Sequence, residues 1–439
     1  MEPFVVIAHL LNITYLLFIA LFVGACARRW PAVAKVLWTA FVVRSIFALF
    51  HFYIAPLVDS GSDAVSFELT ASEWAQDGFV GALGKFPGPS SKFISWIISL
   101  FYATLGSSML LAQSLSVFMG TGMVLLGWLL ARELWDERTA LKVGWVLTFF
   151  PTLILYSALT MRESYIYFFL TLSLLGVVRW VRTDRLRPLL LATFGFVAST
   201  FFHGAMFVGL LVFASIVLWR SLKSLIAGLL RLKISVKKTT VTFLVLVILG
   251  GYLNASVSVD KIGDISNIFD KKVLILKTEK STRSSGDLED GASFPVSLVP
   301  KSNFELLYKT PIRMIYFAFA PFPWDVKKLS HLIGVADGLM YLILFYLICR
   351  NRKAIWADRA ALTILFILLV YLLAFGIGTG NFGTGIRHRS KLVIMFIILA
   401  APYLPYFRWH LKRRRFSLFP VKKRSKLLLK KQSLKNFNE

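Results

Sequence analysis

Asp59 and Asp63 stand four residues apart in DSGSDAVSFELTASEW, directly after an apolar stretch. A carboxylate held at a membrane surface can take a proton from an acceptor hydroxyl, and partial desolvation there raises its basicity. If the chain from Asp63 is helical, Asp63, Phe67 and Thr70 share one face. The same residues also suit a plain helix start, because Asp is a common N-cap of an apolar run. Residue type and spacing leave both readings open. Arg162 and Glu163 follow in FPTLILYSALTMRESYIYF, at the junction of two apolar stretches. Ionisable groups at that depth are costly and face a cavity or each other. Neighbours in a helix pair poorly, so each is expected to have a partner of its own. One reading gives phosphate binding to one of them and an acid, base or positioning role to the other. The alternative is a hairpin ion pair among lipid head groups. His203, at the His203-Gly204 break, suits phosphate binding, proton transfer or a satisfied interfacial position.

The densest basic cluster on the predicted outer side is Arg387-His388-Arg389-Ser390-Lys391, after the glycine-rich TGNFGTGI. Cations there run against the positive-inside trend, and a phosphate or pyrophosphate ligand supplies a reason, since arginine binds phosphate bidentately. Gly383 and Gly385 would let backbone amides approach the same anion. Asp325 and Asp337 are weaker carboxylate candidates near that face, and Arg44 lies in the middle of an apolar stretch, where it snorkels, pairs with a carboxylate or lines a cavity. A divalent ion could sit where Asp59 and Asp63 converge, although no metal-ligand motif is present. Phosphate-loop, dinucleotide-loop, HExxH and GxSxG patterns are absent as well.

These residues need a scaffold, and composition identifies its class. Of 439 residues, 57% are hydrophobic and 17% charged, against about 25% charged in a soluble domain. Mean hydropathy is +0.68. Soluble enzymes and disordered scaffolds are excluded. The formal charge of +27 is not a nucleic-acid footprint. Six segments (27–35, 132–142, 179–187, 220–238, 350–359 and 408–439) hold 32 of the 50 Lys and Arg but only 6 of the 23 acidic residues. That asymmetry is the positive-inside pattern of a polytopic membrane protein. Two cysteines, Cys26 and Cys349, exclude a disulfide framework.

Apolar runs of spanning length predict eleven transmembrane helices: 4–26, 36–57, 108–131, 143–160, 164–181, 188–202, 205–219, 240–255, 332–349, 360–378 and 391–407. The first lacks a basic lead-in and reads as a retained span with its N-terminus outside. Alternation then places every basic segment inside. Ile94–Gly106 and Ile312–Trp324 are too short to cross and are read as interfacial or re-entrant helices on the outer face. The expected fold is an all-α transmembrane domain over 1–407 with outer loops 58–93, 256–311 and 379–390. A basic cytoplasmic tail, 408–439, would lie along anionic lipid.

The order of these parts resembles the GT-C class of integral membrane glycosyltransferases. That class includes protein O-mannosyltransferases and the bacterial enzymes that modify lipid A or build surface polysaccharide. The resemblance is carried by SDAVSFELTASEWA, an interfacial helix ending in TLGSS, the ARELWDERTALK turn and FPTLILYSALTMRES, covering 36–220 best. PFPW at 321–324 and GTGIRHRSK extend it loosely. The resemblance implies that Asp63, or Asp59, is the catalytic base. It also implies a sugar donor on a polyprenyl phosphate or pyrophosphate, with Arg387 and Arg389, joined by His388, Arg162, Glu163 or His203, around the phosphate. An extra first span and a basic tail in place of a soluble C-terminal domain depart from the pattern, and the second leaves the acceptor open. The expected activity is sugar transfer to a lipid- or glycan-linked acceptor at the outer face of the cytoplasmic membrane. A repeat-unit polymerase uses the same donor chemistry and is the nearest alternative. A lipid-linked oligosaccharide flippase is the non-enzyme alternative, disfavoured because the polar groups gather at one face instead of lining a path.

Overall fold

Helices long and apolar enough to cross a bilayer form the frame of the architecture, with shorter helices between them. A computed structural model describes residues 3–230, 275, 278–279, 293–328 and 331–405. The predicted span 240–255, most of the loop 256–311 and the tail 408–439 lie outside the described residues. The described residues form one compact unit. Among the described residues the secondary structure is helical, apart from an isolated antiparallel bridge between Ser293 and Asn381.

Helix α1 (Pro3–Arg29) ends on Arg28 and Arg29, and Pro31 opens a short 3-10 turn into α2 (Ala34–Tyr53). Three short helices follow: α3 (Ser62–Ala75), α4 (Gly78–Gly84) and α5 (Phe93–Leu105). With 13 residues, α5 extends only about 20 Å, too short to cross. It coincides with the predicted interfacial segment. Next come α6 (Met109–Leu134), α7 (Glu137–Phe149), α8 (Pro151–Ala158), α9 (Arg162–Thr183), α10 (Leu186–Phe202) and α11 (Phe207–Leu230). The last part comprises α12 (Asn303–Phe319), α13 (His331–Arg350), α14 (Arg352–Ala357), α15 (Arg359–Gly378), α16 (Phe382–Ser390) and α17 (Val393–Ala400).

By length and composition this is a helical multi-pass membrane protein. Six described segments qualify as spans: Pro31–Tyr53, Met109–Leu134, Arg162–Thr183, Gly204–Ser224, His331–Arg350 and Arg359–Gly378. The pair α7–α8 makes a seventh if its 57° bend belongs to one span. α6 and α9 form the centre of the bundle, buried along most of their length. α9 and α10 cross closely because Gly176 lies against the Ala192 backbone and Gly195 against the Phe169 carbonyl. A Cβ at either glycine would stand under 3 Å from main-chain atoms, which is the small-residue packing of membrane interfaces.

Buried arginines satisfy the backbone where spans break. Pro151 has no N–H for the Leu147 carbonyl, and the helix bends there. Arg44, wholly buried in α2, donates from Nη2 to the Leu147 carbonyl at 3.0 Å and from Nη1 to that of Thr148 at 3.5 Å. The expectation that Arg44 snorkels, pairs with a carboxylate or lines a cavity is corrected by these carbonyl contacts: it closes a helix break. Arg313 of α12 does the same for α15, donating to the carbonyls of Gly376 at 3.1 Å and Thr379 at 2.7 Å. In a bilayer these carbonyls have no water to accept from, so an internal donor is required.

The second predicted re-entrant segment begins earlier than expected. α12 starts at Asn303, capped by Ser302, and carries Pro311 internally. Its C-terminal end wedges against α13: the Phe319 carbonyl lies on Gly338 and the Pro321 ring on Gly334. Irregular backbone at that position is tolerated because protein atoms satisfy it.

Candidate functional site

The site is assembled from α3, the start of α9, the α10–α11 junction and α16. α16 is the decisive element. Asn381 is its N-cap, its side chain accepting from the amides of Gly383 at 2.8 Å and Thr384 at 3.3 Å. The Gly385 amide donates to the Asn381 carbonyl at 2.8 Å. The glycine-rich stretch is therefore a helix, and the Gly383 and Gly385 amides are committed within it. The expectation that they cradle an anion is corrected on that ground.

Helicity also separates the arginines. Residues two apart lie about 200° apart around a helix, so Arg387 and Arg389 face opposite ways, while Lys391 returns to the Arg387 side. Arg387 donates from Nε to Glu163 Oε1 at 2.9 Å and from Nη1 to Asp63 Oδ2 at 2.6 Å, and its Nη2 meets the Met161 sulfur at 3.8 Å. Lys391, fully buried, stands 3.4 Å from the same Glu163 oxygen and 3.0 Å from His388 Nδ1. Asp63 and Arg387, 324 positions apart in the chain, thus meet at one point.

Arg389 is elsewhere. Its Nε donates to Asp337 Oδ2 at 2.7 Å, and its Nη1 and Nη2 donate to the carbonyls of Ala320 at 2.5 Å and Gly334 at 3.4 Å. Buried and engaged on all three nitrogens, it ties the α12–α13 connection to α16. The expected phosphate-binding role for Arg389 does not fit this position. Asp337 likewise serves the bundle and not the cluster. Asp325 bonds the Phe322 amide at 2.9 Å and is a local cap.

The other predicted residues gather around Arg387. Glu163 is the second residue of α9, where the helix N-terminus favours an anion, and it has two cations beside it. Arg162 lies over the Phe67 ring of α3 at 5.7 Å. His203 meets His388 edge-on, ring centres 5.0 Å apart. Asp63 is in the first turn of α3, but Gly61 is the N-cap and no side chain caps it. The helix-cap reading of Asp63 is replaced by its ion pair with Arg387. Asp59 adopts a left-handed backbone, φ 62°, unusual outside glycine, and accepts from the Tyr156 hydroxyl at 3.0 Å.

Burial pushes the Asp59 carboxyl above the usual carboxylate range, against the pull of the Tyr156 hydrogen bond and of Arg387. Burial raises Glu68 as well, tempered by the Tyr102 hydroxyl that bonds it from α5. For Arg387, burial alone would lower the pKa, but Glu163 and Asp63 more than offset it and hold the guanidinium charged. The sequence singled out neither Tyr156 nor Tyr167, whose hydroxyl pairs with Ser390 at 2.7 Å. Lys391 was visible only as the last member of the basic run. Among the described residues no three His, Cys, Asp or Glu side chains are grouped to hold a metal ion. Asp59 and Asp63 turn to separate partners, Tyr156 and Arg387, and do not converge on one point as the expectation of a shared divalent ion requires.

Tyr156→Phe tests the Asp59 contact. Asp59 is raised in the fold, so its share of stability is fully present below the ordinary value of 3.8 and is lost as pH climbs through the raised one. Removing the hydroxyl raises it further. The Tm gap between Tyr156→Phe and wild type is expected to widen from about pH 4 to about pH 7. A constant gap would mean that the bond does nothing for the ionised carboxylate.

No family model, curated protein or solved structure matches the chain.

Proposed function

We propose that the protein is a GT-C-like membrane glycosyltransferase that moves a sugar from a polyprenyl-phosphate-linked donor to a lipid- or glycan-linked acceptor. The observation that carries this reading is the meeting of Asp63, Glu163, Arg387 and Lys391 at 2.6–3.4 Å, from three separate elements. A transferase of this kind needs a base for the acceptor and fixed cations for the leaving phosphate, side by side. In the proposed reaction the acceptor hydroxyl gives its proton to Asp63 while its oxygen bonds to the anomeric carbon. The bond from that carbon to the phosphate oxygen breaks, and the electron pair leaves with the phosphate. Arg387, backed by Lys391 and Glu163, stabilises that charge, with Arg162, His388 and His203 at the margin of the site. Eleven spans, with the N-terminus outside and the C-terminus cytoplasmic, would put the site at the outer face of the cytoplasmic membrane. A lipid-linked donor suits that location, with its prenyl chain among the bilayer lipids. Nucleic acid has no place in the reading.

The test uses full-length protein in lipid vesicles, a panel of labelled prenyl-phosphate sugars, and a membrane extract from a deletion strain as acceptor. Label passing to the extract, with release of prenyl phosphate, is the expected result. Ladders of repeat units would select the polymerase, and movement of label across the bilayer without transfer would select the flippase.

A further inference from the structure

Arg387 is held by two carboxylates in very different circumstances. Glu163 is 0% exposed, sits at a helix N-terminus and has Lys391 as a second cation. Asp63 is 44% exposed and lies on the short helix α3. Glu163 is therefore built into the site, whereas Asp63 can leave Arg387 for water at little cost. The guanidinium itself is only 14% exposed. Its Nε is taken by Glu163, its Nη1 by Asp63, and among the described residues its Nη2 faces the Met161 thioether, a weak acceptor. If Asp63 lets go, the Nη1/Nη2 edge becomes a free fork, the geometry that grips a phosphate through two parallel hydrogen bonds.

Resting on the transferase reading above, we infer that Asp63 holds the place of the donor's phosphate on Arg387, and that the arriving phosphate exchanges with it. The exchange costs nothing in charge, because the donor's phosphodiester and the carboxylate each carry one negative charge, and the phosphate offers two oxygens to the fork where Asp63 places one on Nη1. It also couples the two halves of the reaction. While Asp63 accepts from Arg387, the oxygen that would take the acceptor's proton is occupied by the guanidinium. Once phosphate occupies the fork, Asp63 is released beside the anomeric carbon. The base is thus armed only when the donor is in place, and water is not activated at an empty site. α3 is suited to this movement: it is tied to its surroundings through Glu68–Tyr102 and Ser72–Ser107, and these contacts need not break when the Asp63 side chain swings.

The test is equilibrium binding of labelled farnesyl phosphate to full-length protein in nanodiscs, with farnesol and inorganic phosphate as the other arms. Asp63→Asn removes the competing charge without changing size. It is expected to bind farnesyl phosphate about tenfold more tightly than wild type, the scale of replacing one charge-assisted hydrogen bond that the phosphate must displace by a weaker bond to a neutral amide. The gain is expected to vanish in Asp63→Asn/Arg387→Gln. The same tightening with inorganic phosphate would place the exchange in the headgroup alone; tightening confined to farnesyl phosphate would show that the prenyl chain helps to seat it. Both support the exchange. Equal or weaker binding by Asp63→Asn, with Tm unchanged, overturns it; if wild type still transfers sugar, the transferase reading survives. Should Asp63→Asn fail to fold, Asp63→Ala and Asp63→Ser are read by the same criterion. Wild-type binding no tighter for farnesyl phosphate than for farnesol would overturn the exchange and the donor assignment together.

Discussion

Asp63→Asn is expected to accumulate as folded protein at the wild-type level and to lose about 10²–10⁴ in kcat for sugar transfer, the usual contribution of a positioned base. Fold and activity separate here because of where the residue sits. Its side chain is half exposed, caps no helix, and makes its ion pair at the surface of the bundle. An amide keeps the size and can still accept from Arg387, but it cannot take a proton at neutral pH. If donor exchange operates, KM for the donor falls along with kcat, the pattern expected when a variant relieves a contact that the substrate had to displace. Steady-state transfer with the donor in excess measures kcat. A loss of threefold or less would remove Asp63 as the base and turn attention to Asp59, whose Tyr156 contact and raised pKa make it the next carboxylate to test.

The cluster's members were legible from sequence for a simple reason. An apolar chain that keeps ionisable groups at span ends has few places to put them, and Asp63, Glu163 and Arg387 could only face solvent or one another. The partition within the basic run was not legible, because it depended on whether residues 382–390 are loop or helix. Two glycines in that stretch argued for a loop, and Asn381 as N-cap decided for a helix. With helicity settled, spacing alone separates Arg387 from Arg389. The role of Arg44 was hidden for a different reason. Its partners are main-chain carbonyls, which no residue code displays, and they are freed by a proline more than a hundred residues away. The bend at Pro151 was foreseeable; its closure by a side chain from another helix was not. The start of α12 was missed because Asn303–Ile312 is amphipathic, with Lys309 paired to Glu305 on its polar side, and a search for apolar runs passes over it.

Arg389 and Asp337 should give the largest effect on stability, and a contrast with Asp63. The pair is buried, with 1% and 5% of the side chains exposed. Asp337→Ala leaves a guanidinium with no carboxylate beside it inside the bundle, a change expected to cost about 3–5 kcal/mol. Arg389→Met strands Asp337 and also takes the donor away from the carbonyls of Ala320 and Gly334, so it is expected to be at least as damaging. Both should appear as a lower Tm and a smaller monodisperse fraction in detergent, with activity lost in proportion to folded protein. Asp337→Leu combined with Arg389→Met removes both charges together. It should recover much of the loss but not all of it, because the Ala320 carbonyl stays without a donor at the α12–α13 turn. Full recovery would mean that the carbonyl contacts contribute nothing, and no recovery would mean that they, and not the ion pair, hold the turn in place. Either way, specific activity per folded molecule in these variants separates the two arginines of one short helix. Arg389 acts through the fold, so specific activity should be preserved, whereas Arg387 acts on the reacting groups and its replacement should abolish turnover in protein that remains folded.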